Sequence, residues 1–474
     1  MRTSTRTLLA LAATVSLTAT AAACGDDASD GSTVITAVTD SSENMTEDTT
    51  TGTTADSMSD MATDTTTADS MSDMATDTTT ADSMADMGTD TTPADSIGEG
   101  DMAEASVDDG ASTLRATLTS LLQEHVYLAG VAFETAVDAG GDMEEANTAA
   151  AVAALDENTV ALADAVGSIA GDDNGAAFLE LWRQHIGFFV DYTLGEATGD
   201  QAMKDQALTD LEGYQQAAGA FFEEITGGTL AADETVSGLE EHVATLTAAI
   251  DSIVAGDTDA FDNLKAAADH MSATALYLSS GIVEALPDMF PGSTTSAPAE
   301  VRATLTAQLQ EHAYLAGIAI EQAIEAGGDL EAPAVQAAIA TLDSNTVQLS
   351  ETVASVAGED NGTAFQELWR QHIGFFVDYT LGEATGDDAM KQQALTDLEG
   401  YQQAAGAFFE EITGGEIAPD MLIPGLQEHV KTLTLAIDGF VAGDTAAFSD
   451  LRAAGQHMPK AALLLSTGIV AATS

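Results

Sequence analysis

From about residue 112 onward, long stretches rich in alanine, leucine and glutamate alternate with short polar breaks. Within each stretch apolar residues recur every three or four positions, the spacing that gathers them on one helical face. Leu118, Leu121 and Leu128 form one such stripe, and Leu181, Phe188 and Tyr192 another. No strand-like alternation competes. The pattern predicts six helices, at about 112–139, 144–170, 175–198, 201–226, 233–255 and 258–283. The breaks AGGD, AGDDNG, TGD and AGDT place glycine where a helix end favours positive φ. Each then offers Asp142, Asp173, Asp200 or Asp257 as a cap for the next helix. Links this short make successive helices antiparallel.

The same pattern returns at a fixed offset of 187 residues, so that 115–283 aligns with 302–470 without a gap. The string LWRQHIGFFVDYTLGEATGD is unchanged between the two copies and carries both tryptophans, Trp182 and Trp369. This is duplication on the scale of a domain. The expected fold is all-α: two tandem antiparallel bundles of about six helices, at 114–284 and 302–474. The segment 285–301, with three prolines, reads as the linker.

All eight histidines fall in the copies at matching positions: His125, His185, His242 and His270, then His312, His372, His429 and His457. Each lies on an apolar stripe near the middle of the first, third, fifth or sixth helix of its copy. A midpoint is the level that up-running and down-running helices share. If those four helices form the core and the second and fourth pack outside, four imidazoles meet in one layer. Imidazole suits zinc, copper, iron or nickel, so a transition metal (copper, zinc or iron) is the cofactor this layer would take. Met271 and Met458, beside the last histidine of each copy, lean toward copper. Glu124, Glu241, Glu311 and Glu428 immediately precede histidines, and they read as flanking partners because adjacent helical residues point about 100° apart. Asp191 and Arg183 are further partner candidates. Where the copies diverge, TLAADETVSGLEEH against EIAPDMLIPGLQEH, and KAAADHMSAT against RAAGQHMPKA, the histidines stay. The same residues also fit a buried polar network that sets helix register, or a haem or other cofactor pocket. These readings remain open on the sequence.

Several chemistries have no footing. Glu-x-x-His pairs of the di-iron bundles, His-Glu-x-x-His and Cys-x-x-Cys-His are all absent, as are a serine nucleophile elbow, a phosphate-binding loop and an EF-hand loop. A metal-dependent redox enzyme is a further alternative, but no acid–base or nucleophile constellation accompanies the histidines. The sequence favours a non-enzymatic binding or structural role.

The N-terminus changes the picture of where this happens. MRTSTRTLLALAATVSLTATAAAC has a basic start, an apolar run and small residues before Cys24, the one cysteine of the chain. It resembles the lipoprotein signals of Gram-positive bacteria, actinobacteria in particular. That resemblance implies cleavage, lipidation at Cys24 and attachment to the outer face of the cell membrane or the cell wall. Residues 25–113 hold 22 Asp and Glu, no Lys or Arg and no aromatic residue, which predicts a disordered tether. As a flexible coil it would span on the order of 50 Å. Its 13-residue repeat carries the pairs Met58/Met61, Met71/Met74 and Met84/Met87, and thioethers favour Cu(I). Its threonines are candidate sugar acceptors.

Charge narrows the partners. With 78 acidic residues against 12 basic ones, a formal net charge of −66, the chain repels nucleic acid and anionic lipid surfaces and attracts cations. Such a surface also suits solubility at high salt. Membrane contact through the lipid, cations and cell-wall components are the expected partners. Taken together, QEHVYLAG, FLELWRQHIGFFVDYT, HVATLTAAID and the final HM resemble a helical domain of exported Gram-positive proteins. Some of those proteins are labelled for a copper amine oxidase N-terminal-like module beside it. The resemblance covers each whole copy and implies export and a helical fold, without an activity. The copper-labelled module itself is not found in this chain.

Overall fold

The computed structural model describes residues 105–473. The expected export signal, Cys24 and the methionine pairs lie outside the described residues. Twelve helices follow one another: α1 (Gly110–Asp138), α2 (Ala146–Ala170), α3 (Asp172–Thr198), α4 (Gln201–Ile225), α5 (Ala232–Ala255) and α6 (Ala260–Ala285) form the first copy. The second copy is α7 (Ala297–Glu325), α8 (Pro333–Ala357), α9 (Glu359–Thr385), α10 (Asp388–Ile412), α11 (Pro419–Ala442) and α12 (Ala446–Thr473). No strand occurs among the described residues, and the all-α expectation holds.

The helix ends refine the expected caps. Gly199 sits at φ 70° in the left-handed region and closes α3, and Asp200 then accepts from the amides of Ala202 and Met203 to open α4. Asp173 is not a cap. Gly171, at φ 95°, is the whole link between α2 and α3, so α3 begins at Asp172 and Asp173 falls in its first turn. There it faces the positive end of the helix dipole. At the start of α2 the cap is Glu145, not Asp142, and α6 starts without a side-chain cap from Asp257. The chain expected to be linker also contributes structure. Ser296 caps α7 and Pro298 occupies its first turn, where a missing N–H costs nothing. At the other end, Val107 is buried and Asp109 caps α1, so the last residues assigned to the tether are part of the fold.

Each copy has an inner trio and an outer trio. α1, α3 and α5 touch one another at the centre; α2 packs between α1 and α3, α4 between α3 and α5, and α6 between α5 and α1. The expected four-helix core of the first, third, fifth and sixth helices is therefore corrected: α6 is an outer helix, like α2 and α4. The short links explain it. Successive helices reverse direction, so the alternate helices α1, α3 and α5 run parallel and converge, and each even helix fills the groove between its neighbours. Gly130 makes the α1–α6 groove close, since a Cβ there would meet the Leu264 side chain at 2.5 Å.

The two copies share a core. α1 packs on α7, and residues 122–133 and 309–320 of these helices are buried without interruption. A helix buried all round needs cover on both sides. Here its own bundle supplies one side and the other copy supplies the second. The contacts obey a pseudo-twofold. Tyr127 stacks on its own counterpart Tyr314 at 5.5 Å between centroids. Arg115 donates to the Thr294 carbonyl at 2.8 Å, and its counterpart Arg302 donates to the Val107 carbonyl at 2.7 Å. Such pairings of one patch with its image define an isologous interface.

Candidate metal centre

The inner trio decides which histidines meet. His125 on α1, His185 on α3 and His242 on α5 offer ring nitrogens within 4.8 Å of one another, and so do His312, His372 and His429 in the second copy. The rings are buried, with exposures of 1%, 1% and 5% in the first copy. His125 and His185 face each other through Nε2 at 3.3 Å, as do His312 and His372. Ring centroids lie 5.3 Å apart for His125–His185, 6.1 Å for His125–His242 and 6.5 Å for His185–His242.

The fourth histidine is elsewhere. His270 and His457 ride on the outer helices α6 and α12. His270 Nε2 meets the Gly238 carbonyl at 3.2 Å, and its Nδ1 lies 3.7 Å from Glu241. His457 meets the Gly425 carbonyl at 2.9 Å. These two have the ordinary backbone partner of a structural histidine. The expected layer of four is a triad plus one satisfied neighbour. Met271 and Met458, on the same helices, are buried in the apolar core.

The glutamates expected to flank the site also go elsewhere. Glu124 and Glu311 are buried, but they point away from the triads into the contact between copies. Arg452 of α12 pairs with Glu124 at 2.7 Å, and Lys265 of α6 with Glu311 at 3.1 Å. Tyr127 donates to Glu311 at 3.0 Å and Asn345 donates to it at 2.8 Å. Glu241 is exposed beside His270, and Glu428 pairs with Lys431 at 3.1 Å on the surface. Arg183 forks onto Asp156 at 2.7 Å through both nitrogens. Asp191 shares its surroundings with Asp210 of α4, and burial raises its carboxyl above the usual range. No carboxylate joins either triad among the described residues.

Aromatic rings wall the site instead. Trp182 meets His185 edge-on at 4.5 Å and His125 at 5.0 Å. Tyr214 of α4 stacks on His185 at 4.7 Å, and Phe189 closes on His242 at 5.8 Å. Nothing in the sequence pattern links Trp182 or Tyr214 to the histidines, because both contacts depend on how the helices pack. The basic residues at the copy contact were missed as well. Their signal was available: Lys265 and Arg452 occupy the same position of a helix stripe in a chain with few basic residues.

The walls set the protonation state. Burial and, second, the neighbouring imidazole of His242 push His125 down to about 3. Burial and His270 bring His242 to about 4, and burial drives His185 well below the ordinary histidine value. The second triad behaves alike. All six rings are neutral at neutral pH and keep a lone pair. One nitrogen-to-nitrogen contact satisfies few of the ring atoms: Nδ1 of His125 and of His242 is buried without a hydrogen-bond partner, whereas His185 has a backbone partner at Trp182. Buried polar atoms are normally paired. Comparison with protein-family models, with curated proteins and with solved structures finds no match for this chain.

Proposed function

We propose that this protein is a metal-binding module of the cell envelope, with one transition-metal site at each buried histidine triad. The export signal would carry it across the membrane and a lipid on Cys24 would hold it at the outer face. Its role in this reading is to bind metal, not to catalyse a reaction. The observation that carries it is the convergence of three buried, neutral imidazoles in each copy. Three ring nitrogens within 4.8 Å of one another, with Nδ1 of His125 and His242 left unpaired, make a poor structural network. They make an ordinary three-nitrogen ligand set, and two nitrogens bound to one ion at about 2.0–2.1 Å sit roughly 3.3–3.6 Å apart. The Nε2 separation of His125 and His185 is already 3.3 Å. That same contact favours the second reading, a histidine network that only fixes register.

Elemental analysis of the full chain separates the two. The metal reading expects about two bound ions more in the wild type than in a His185→Leu/His372→Leu variant, one ion for each triad. It also expects a chelator to lower the melting temperature of the wild type alone. Equal metal content in both proteins, with a lower melting temperature in the variant whether or not chelator is present, would leave the register network. Loss of membrane association on Cys24→Ser tests the anchor.

A further inference from the structure

The metal reading leaves the ion open, and the surroundings of the triad discriminate among candidates. The donors are three imidazoles, with no acidic side chain among them. The nearest acidic neighbour in sequence, Glu124, is turned away to Arg452, and Glu241 lies outside beside His270. The rings of Trp182, Phe189 and Tyr214 pack against the histidines. An ion placed here keeps its full charge, because nothing in the shell cancels it. The cost of holding a bare charge in a dry, weakly polar interior grows with the square of that charge. A divalent ion therefore pays roughly four times what a monovalent ion does. Divalent zinc in a three-histidine site completes its shell with water, and Cu(II) asks for a tetragonal set of ligands. A three-nitrogen, aromatic, carboxylate-free pocket offers neither ion a counter-charge.

We infer that each triad selects a monovalent ion, Cu(I), held by three imidazoles, over Zn(II) and Cu(II). This rests on the metal reading above and sharpens it. The second triad repeats the arrangement: Trp369 lies 4.6 Å from His372, Tyr401 stacks on it at 4.6 Å, and Phe376 lies 5.6 Å from His429. The site would thus take copper in its reduced state, and oxidation would raise the charge inside a pocket built without a counter-charge.

The molecule contains its own reporter. Its two tryptophans are the only ones in the chain, and each lies against one triad. Indole emission therefore reads the triads. The full chain, kept reduced and free of oxygen, is titrated with Cu(I) buffered by bathocuproine disulfonate. The emission should fall by more than half, and a hundredfold excess of Zn(II) should leave the Cu(I) midpoint unchanged. The His185→Leu/His372→Leu variant should not respond. If that variant does not fold, His242→Gln with His429→Gln keeps a polar side chain and serves the same purpose. A Cu(I) midpoint displaced tenfold or more by Zn(II) overturns the choice of ion and keeps the metal site. Emission unmoved by Cu(I), with metal content equal to that of the variant, removes the site itself.

Discussion

The two copies agree at their centres and differ at their shared border. Ring distances for His125–His185 and His312–His372 are 5.3 and 5.2 Å, and those for His125–His242 and His312–His429 are 6.1 and 6.0 Å. At the border the same position is Lys265 in one copy and Arg452 in the other. Arg452 spans Glu124 and Glu157, at 2.7 Å each. Lys265 spans Glu311 at 3.1 Å and Asp269 at 2.7 Å. The second copy also carries Pro424 and Pro459 inside helices where the first has Ser237 and Ser272. Pro424 lies on the inner helix α11, five residues before His429, and Pro459 on the outer α12, yet the triad distances match between copies. Parallel inner helices locked by aromatic contacts hold the site through divergence on an inner helix, α11, as well as on the outer α12.

The harshest way to break this comparison is to remove one partner. A chain ending at residue 296 would expose the outer side of α1, including Glu124 and Tyr127. It should unfold or pair with itself through the same patch, as light scattering would show. A stable, folded monomer would mean that the border contributes little. Next comes a single border charge. Arg452→Ala leaves Glu124 buried and unpaired, which should cost about 3–5 kcal/mol in urea unfolding. Lys265→Ala should cost a comparable amount if the two halves are equivalent, so a large gap between them would sharpen the asymmetry. Replacing Pro459 with the serine of the first copy restores an amide to mid-helix. It should stabilise by up to about 3 kcal/mol while leaving Cu(I) quenching of Trp369 unchanged.

Stability against pH separates border from centre with a gentler tool. Glu134 and Glu321, counterparts on α1 and α7, are pushed up by burial and then by neighbouring carboxylates, Glu321 to about 8. Glu325 rises to about 7, by burial and then Asp138. Their folded values exceed the unfolded one, so the stability they contribute is complete below about 4.5 and is lost as pH rises through 7 and 8. The histidines act oppositely. Their folded values are depressed, so their contribution is present above about 6.5 and is lost as pH falls toward 4 and 3. Urea midpoints should decline on both sides, and Glu321→Gln should flatten only the alkaline side. A flat alkaline limb in the wild type would show that these carboxyls are not displaced. The smallest effect belongs to His270→Leu, which frees one backbone carbonyl at about 1 kcal/mol and should leave metal content unchanged. Loss of metal on that substitution would return the fourth histidine to the site.

Most of the helical plan was legible from apolar spacing and glycine breaks, because short links and repeated stripes constrain antiparallel helices strongly. The boundaries at Ala297 and Gly110 were not, since proline and serine serve a helix start as readily as a linker. Mid-helix depth correctly marked all eight histidines as interior or nearly so. It could not tell which helices converge, because depth along an axis carries no information about position around it. Parity narrows it: helices of like direction converge, which separates α6 from α1, α3 and α5 without telling the odd trio from the even one. The direction of Glu124 was hidden for a different reason. Its partner lies 328 residues away on α12, and no local pattern announces the second copy as the cover for α1.

The stack of Tyr127 on Tyr314 has a further consequence. A side chain that meets its own image belongs to a pair that could once have formed from separate, identical molecules. Joined in one chain, the halves find each other at any dilution, since their encounter no longer depends on how many molecules are present. Joining also releases each half from mirroring the other. In a pair of identical chains every substitution arrives twice, once on each side of the axis. Here Lys265 and Arg452, or Ser272 and Pro459, were free to part company one at a time.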